Sequence, residues 1–142
     1  MRRVAALAAV SLLGACATPP PSGPDVPTPW ADSDDCAVIA AVAKEYFQFG
    51  PDRPAPPVRF SGGYAPRCDW SRHGLAFTPW DRRGPDAGRR WVSFGKPRYD
   101  GEGAVIRVGI MHGPLAGQGS ECRVRSGFAG WTVGECRRTW VS

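Results

Sequence analysis

The residues of this chain best placed to do chemistry are its five cysteines, Cys16, Cys36, Cys68, Cys122 and Cys136. A thiol can accept a lipid, ligate a metal, attack a carbonyl or close a disulfide, and its neighbours decide which. No Cys-x-x-Cys pair occurs and only His73 and His112 could complete a zinc set, so neither a metal site nor a cofactor is expected. Once Cys16 is set aside, for the reason given below, four cysteines remain, an even number that reads as two disulfides in an oxidising compartment. Of the three connectivities open to four cysteines, sequence proximity and the strand pattern favour Cys36–Cys68 and Cys122–Cys136. Thiols so bridged leave no cysteine nucleophile, and no Gly-x-Ser-x-Gly elbow supplies a serine one.

The other ionisable groups form no constellation. Asp69 and His73 could join His112 in acid–base or metal chemistry, but their spacing would matter only on a helix, and residues 68–77 do not read as one. Glu102 and Glu121 would suit glycan cleavage if they faced one another, which nothing in the sequence arranges. Gly113 to Gly119 could cradle a phosphate with backbone N–H groups. It lacks the Lys-Ser/Thr of a P-loop and leads into a strand, so a glycine-rich connection between strands explains it better. No catalytic residue is assigned, and a non-enzymatic role is favoured. The surface that stands out is Trp80-Asp81-Arg82-Arg83 with Arg89-Arg90-Trp91, where aromatic and guanidinium groups interleave as a platform for sugar rings and acidic groups. The competing reading is a solvated loop whose tryptophans anchor it to the core.

Residues 1–15 have the layout of an export signal. Met1-Arg2-Arg3 is a positive start, and Val4 to Leu13 is an apolar run broken only by Ser11. That run is too short to cross a bilayer as a helix, which takes about 20 apolar residues. Leu13-Gly14-Ala15-Cys16 then resembles the lipobox of bacterial lipoproteins: an aliphatic residue, two small residues and the obligatory cysteine. The resemblance implies diacylglycerol on the Cys16 thiol, cleavage before Cys16 and acylation of the new amine, so the chain is anchored to the membrane and does not span it. By the same resemblance, Ala17 in place of Asp after the cysteine implies sorting to the outer membrane, with the protein facing the periplasm.

Removing those residues takes away two of the 18 basic side chains and none of the 13 acidic ones, so the mature chain carries about +3 with His neutral. Such a charge suits anionic envelope polymers, acidic lipid head groups or another envelope protein. Nucleic acid is not expected as the partner of an exported chain.

Three kinds of segment position these groups. Residues 16–31 form a tether: Thr18-Pro19-Pro20-Pro21-Ser22-Gly23-Pro24, then Pro27 and Pro29, favours extended polyproline II and packs no core. A helix follows, with Ser33 or Asp34 as N-cap and Asp34 and Asp35 opposing its positive end. Cys36, Ile39, Ala40, Ala43 and Phe47 recur along it at helical spacing, widened by Val42 and Tyr46, while Lys44 and Glu45 face outward. Gly50-Pro51 ends it, with Gly50 suited to the left-handed position past the last turn. Beyond this the period becomes strand-like. Val58–Phe60, Cys68–Trp70, Leu75–Phe77 and Trp91–Phe94 read as short strands, with turns at Ser71–Gly74 and Asp100–Gly103. Ala104, Ile106, Val108 and Ile110 alternate with a polar face, and Cys122 and Val124 alternate with Glu121, Arg123 and Arg125. Pairing residues whose numbers sum to 258 sets Cys122 opposite Cys136 and Val124 opposite Gly134 on the hairpin turned at Phe128-Ala129-Gly130, and Thr139-Trp140-Val141 closes the chain as a strand end. The expected fold is α+β: one N-terminal helix packed on an antiparallel sheet of about five or six strands, disulfide-stapled, as a single domain over residues 32–142.

Residues 91–142 resemble a group of uncharacterised bacterial envelope proteins. The shared layout is a strand, the run Gly113-Pro114-Leu115-Ala116-Gly117-Gln118-Gly119, a strand, the turn Gly130-Trp131-Thr132-Val133 and a terminal Trp140-Val141-Ser142. The resemblance implies an envelope protein of this fold and carries no activity with it. The expected function is a non-enzymatic envelope lipoprotein, a binding or structural module. The alternatives are a small cell-wall hydrolase and a lysozyme inhibitor; the second is disfavoured because an inhibitor of basic lysozymes should present an acidic face. Replacing Cys16 with Ser should leave an unlipidated, mislocalised protein. Mass spectrometry of the membrane fraction checks this, and a mature wild-type chain that starts elsewhere or lacks acyl mass would refute it.

Overall fold

The computed structural model describes residues 34–85 and 87–142. The export signal, Cys16, the tether and Ser33 lie outside the described residues. Asp34–Ala41 forms helix α1, and Val42–Tyr46 continues it as one wider π turn. The apolar stripe read from the sequence is buried, save Tyr46, which is half-buried, and Val38 and Ala41 beside it are buried too. The helix is enclosed this broadly because it lies between the sheet and the turn at Trp70–His73, to which the Cys36–Cys68 bridge ties its first turn.

The helix does not end as the sequence suggests. Gln48, with φ 59°, takes the left-handed position expected of Gly50. The wide turn closes through Phe47 N–H to Val42 O (3.2 Å) and Phe49 N–H to Ala43 O (2.9 Å). That geometry folds both phenylalanines into the core, stacked 5.3 Å apart. Gly50 and Arg53 then exchange backbone hydrogen bonds (3.0 and 3.2 Å) around Pro51-Asp52, so the Gly-Pro pair shapes the next turn.

Six strands build one sheet: β1 Val58–Phe60, β2 Trp91–Phe94, β3 Arg98–Tyr99, β4 Ala104–Gly113, β5 Ala116–Gly127 and β6 Gly130–Val141. Their order is β1-β2-β4-β5-β6, with β3 also paired to β4. The sheet is mixed and not antiparallel throughout, because β1 runs parallel to β2 with Val58 opposite Val92. A parallel neighbour needs a long crossover, and residues 61–90 supply it. The strands expected at Cys68–Trp70 and Leu75–Phe77 are absent, since this crossover is held by packing and not by a ladder. Trp70–His73 is a short 3₁₀ turn that Asp69 caps through Ser71 N–H. Trp70 packs on Phe60 (6.1 Å) and Phe77 (4.6 Å). Phe94, fully buried, is the hub, with Phe47, Phe60 and Phe77 around it at 5.9, 6.3 and 5.8 Å. Pro79 bridges Val58 in parallel and so extends the sheet by one rung beyond β1.

In the C-terminal hairpins Ala104, Ile106, Val108 and Ile110 point inward, as do Ser120, Cys122 and Val124. Ser120 is the buried polar side chain here, and its Oγ meets Tyr46 Oη at 2.8 Å, so it is satisfied. Gly113 to Gly119 is not a connection. Only Pro114 and Leu115 separate β4 from β5, and Ala116 to Gly119 are ladder residues opposite Gly113 to Gly109. Cys122 faces Cys136 and the two are bridged. Val124, however, faces Val133 and not Gly134, because β6 carries an extra residue in a bulge between these pairs. The two bridges together contribute on the order of 4–8 kcal/mol.

The β3–β4 turn holds two glycines at positive φ, Gly101 and Gly103, and the second also makes a close approach. Gly103 has φ 146°, and a Cβ there would fall on the carbonyl of Val124. Gly103→Ala should therefore cost about 2 kcal/mol or more. Urea unfolding measures it, and a loss below about 0.5 kcal/mol would contradict this account of the turn.

Candidate functional site

One helix covers one face of the sheet, so the alternate residues of each strand make a second face open to solvent. Register assembles that face into rows that cross the strands. One row runs Arg59, Ser93, Gly109, Gly119, Trp140. Beside it Arg107, Glu121 and Arg137 stand in line. On the other side lie Trp91, Met111 and Gly117.

Trp140 sits where the first row loses its side chains. A Cβ on Gly119 would coincide with the indole of Trp140, and one on Gly109 would come within 3.2 Å of its Cζ2. The indole thus lies along the sheet from β6 over β5 towards β4, its underside against glycine backbone, and the residue keeps 44% of its surface exposed. Gly109 and Gly119 are absent from the positive-φ glycines, so room for the ring, and not backbone conformation, accounts for them.

Glu121 is the hub of the charged row. Its Oε2 accepts from Arg98 Nη2 (3.4 Å) and Arg107 Nε (3.3 Å), and its Oε1 lies 3.8 Å from Arg137 Nη2. The three guanidiniums are 66%, 74% and 76% exposed, whereas Glu121 is 23% exposed. Ion pairs this open to water are individually weak, and with Arg123, Asp100 and Glu135 counted the neighbourhood still holds more guanidiniums than carboxylates. Nearby, Arg123 pairs with Asp100, whose carboxyl that bond holds below its ordinary range. Glu135 lines the adjoining cleft with Arg123 and Arg137.

The Trp–Arg segment singled out from the sequence forms the far margin of the same face. Trp80 and Trp91 meet at 5.5 Å, and the Arg59 guanidinium lies over both rings at 5.3 and 5.8 Å. Between them Asp81 accepts from Arg83 N–H (2.8 Å) to form a turn. Arg82, Arg83, Arg89 and Arg90 are exposed. The tryptophans therefore anchor the loop and build an aromatic–cation stack at once. The indole N–H of Trp80 is buried and finds no hydrogen-bond partner among the described residues.

The other groups weighed from the sequence are not brought together. Asp69 caps its own turn through Ser71 N–H (3.2 Å) and Oγ (2.6 Å). His73 packs against Trp70, whereas His112 is exposed near the far end of β4. Glu102 lies in the β3–β4 turn, five residues along the chain from Arg107, the partner of Glu121. Three rungs of β4 separate that turn from the Arg107–Glu121 pair, so the two carboxylates do not face one another. Among the described residues no group of three or more His, Cys, Asp or Glu could hold a metal. Sequence reasoning missed Arg59, Arg98, Arg107, Arg137 and Trp140. The strand alternation carried part of the signal, since it sets Arg107, Glu121 and Arg123 on the side opposite the core. No family model, no curated protein and no solved structure matches the chain.

A second polar cluster fastens the helix to the sheet. Asp35 accepts from Tyr64 Oη (2.7 Å) and Tyr99 Oη (2.6 Å), and Tyr99 also meets Trp131 edge-on at 5.9 Å. Burial of the two hydroxyls, and then the bonds to Asp35 and its charge, push both tyrosines above the ordinary tyrosine range. A raised folded-state pKa means that the protonated tyrosines stabilise the fold fully below about pH 10, the value in the unfolded chain. That stability is lost as pH climbs above it. Melting temperature should fall from about pH 10 upward, in step with tyrosinate absorbance. The double variant Tyr64→Phe/Tyr99→Phe should melt lower at neutral pH and lose much of that alkaline decline. An equal decline in the variant would show that other groups govern alkaline unfolding.

Proposed function

We propose that this chain is an exported, lipid-anchored protein of the bacterial envelope, sorted to the outer membrane and facing the periplasm, that binds anionic envelope polymers without catalysing a reaction. The lipobox at Leu13 to Cys16 supports the anchor, and the layout of residues 91–142 supports membership among small envelope proteins. On this reading the helix opens a domain of residues 32–142, which the Pro-rich tether holds away from the membrane.

The observation that carries the binding role is the uncovered sheet face. Its cationic groups outnumber its carboxylates around Glu121, and aromatic rings line it at both margins: Trp80 with Trp91 under Arg59, and Trp140 on its glycines. Guanidiniums grip phosphates and carboxylates with paired N–H groups. Exposed arginines spread over a sheet suit a long polyanion better than a small enclosed substrate. The exposed Arg82, Arg83, Arg89 and Arg90 extend the cationic surface beyond the sheet margin.

Co-sedimentation of the mature protein with purified lipopolysaccharide and peptidoglycan tests this. Binding should be clear at low ionic strength and fall with added salt. Replacing Arg82, Arg83, Arg89 and Arg90 together with Gln should weaken it while shifting the melt little, because exposed substitutions usually stay within about 0.5 kcal/mol each. Absence of binding to both polymers at low salt would reject the reading. Unchanged binding with an unchanged melt would remove the loop arginines from it.

A further inference from the structure

We infer that the outer face holds a discrete site for an acidic sugar ring, stacked on Trp140 and held by Arg107 and Arg137. The inference rests on the polyanion reading above and narrows it to one ligand class and one place.

The ring platform comes first. Glycines in mid-strand weaken a sheet, yet two of them, Gly109 and Gly119, lie side by side in the central strands with no positive φ to require them. Their effect is to let one indole lie flat against backbone. An aromatic ring that serves only to bury apolar surface ordinarily goes beneath the sheet, where Phe94 and Phe47 are. Trp140 is instead laid on the open face with its upper side turned to water. A pyranose offers one flat face of C–H groups, which gains by leaving water for such a surface, while its rim of hydroxyls stays hydrated.

The charge beside the platform selects among sugars. The cleft bounded by Trp140, Thr139, Arg107, Glu121 and Arg137 has a volume of about 480 Å³, within the range of small-ligand sites. Arg107 and Arg137 flank Glu121 in the row next to Trp140, and Arg98 reaches the same carboxylate. Even with Glu135 and the Arg123–Asp100 pair counted, guanidiniums outnumber carboxylates here, so a ligand carboxylate or phosphate can take a paired grip on Arg107 or Arg137 without stripping Glu121 of all its partners. Glu121 is then free to accept from a sugar hydroxyl. A neutral sugar would leave this charge unanswered, and a polyanion without rings would leave the indole unused.

Calorimetry and nuclear magnetic resonance of the mature protein, following the indole N–H of Trp140, test the site with four probes. They are trigalacturonate, glucosamine phosphate, neutral maltotriose and tripolyphosphate. At least one of the two acidic sugars should bind and shift the Trp140 indole, and comparing them tells carboxylate from phosphate. Maltotriose should bind at least roughly tenfold more weakly. Trp140→Ala, and separately Arg107→Gln/Arg137→Gln, should each weaken binding of the acidic sugar roughly tenfold. The arginine pair is so exposed that its variant should melt like the parent, and it decides the matter if Trp140→Ala unfolds. An unmoved indole, undiminished binding by the arginine variant, or tripolyphosphate bound as tightly as the sugars would overturn the site. Those results would leave the polyanion reading standing, whereas failure of the sedimentation test would remove that reading first.

Discussion

The burial of one sheet face under one helix is the constraint from which the rest of the molecule follows. Asp34–Tyr46 supplies the only helical layer among the described residues longer than a single turn, so the six strands can cover only one side of themselves. On that side Phe47, Phe60 and Phe77 gather around Phe94, and the buried hydroxyl of Ser120 is answered by Tyr46. The helix is fastened at three places: the Cys36–Cys68 bridge at its first turn, Asp35 to the two tyrosines, and Glu45 Oε2 accepting from Val133 N–H at 2.8 Å. Glu45 looked like a solvated residue in the sequence. It is exposed, yet it ties the end of the helix to β6. With the inner face so committed, the outer face is left to polar chemistry, and arginines populate it.

Much of this architecture was legible as periodicity. The helical stripe from Cys36 to Phe47 and the two-residue alternation from Ala104 to Ile110 and from Glu121 to Arg125 each placed their residues on the correct side of the core. What could not be read was any feature fixed by contacts between distant segments. Trp70, Leu75 and Phe77 have the composition of strands, but Trp70 and Phe77 pack around Phe60 and Phe94, Leu75 is buried in the same core, and none of them joins a ladder. The parallel pairing of β1 and β2 depends on where that crossover delivers the chain, which no local pattern records. Glycines misled in the opposite sense. A run of them reads as a loop, whereas Gly117 and Gly119 are strand residues whose missing side chains make room for Met111 and Trp140.

The candidate site was legible only at one margin. Trp80, Trp91 and the arginines between them are adjacent in sequence, so their interleaving shows directly, although Arg59, which completes their stack, comes from a separate strand. The Glu121 cluster draws on β3, β4, β5 and β6 through Arg98, Arg107, Glu121 and Arg137. Each of these residues alone is an ordinary solvated position. Their convergence is a property of register, and register between strands depends on bulges that sequence spacing does not announce.

Those bulges decide which side of the sheet Trp140 occupies. The register of the central rung, Cys122 with Cys136, continued unbroken towards the C-terminus, would pair Gly119 with Thr139 and Gln118 with Trp140. Because side chains alternate along a strand, Trp140 would then sit on the helix side, beside Ile110, the partner of Gln118. The shift between Gly119 and Ser120 instead sets Gly119 against Trp140, which turns the indole outward onto its glycines. A second shift lies between Cys122 and Val124, so the bridged pair stands between two irregularities in β6. A strand with an extra residue on either side of a rung is open to slipping by one, and such a slip would invert every side chain beyond it. The covalent bond at that rung forbids the slip. β6 is also the edge of the sheet, where a long regular strand would invite pairing with another chain. The same bulges, with Glu135, Arg137 and Arg138 along it, make that edge irregular and charged. The Cys122–Cys136 bridge thus does more than add stability. It fixes the register on which the open face depends, and it does so on an edge strand that pairs with β5 alone.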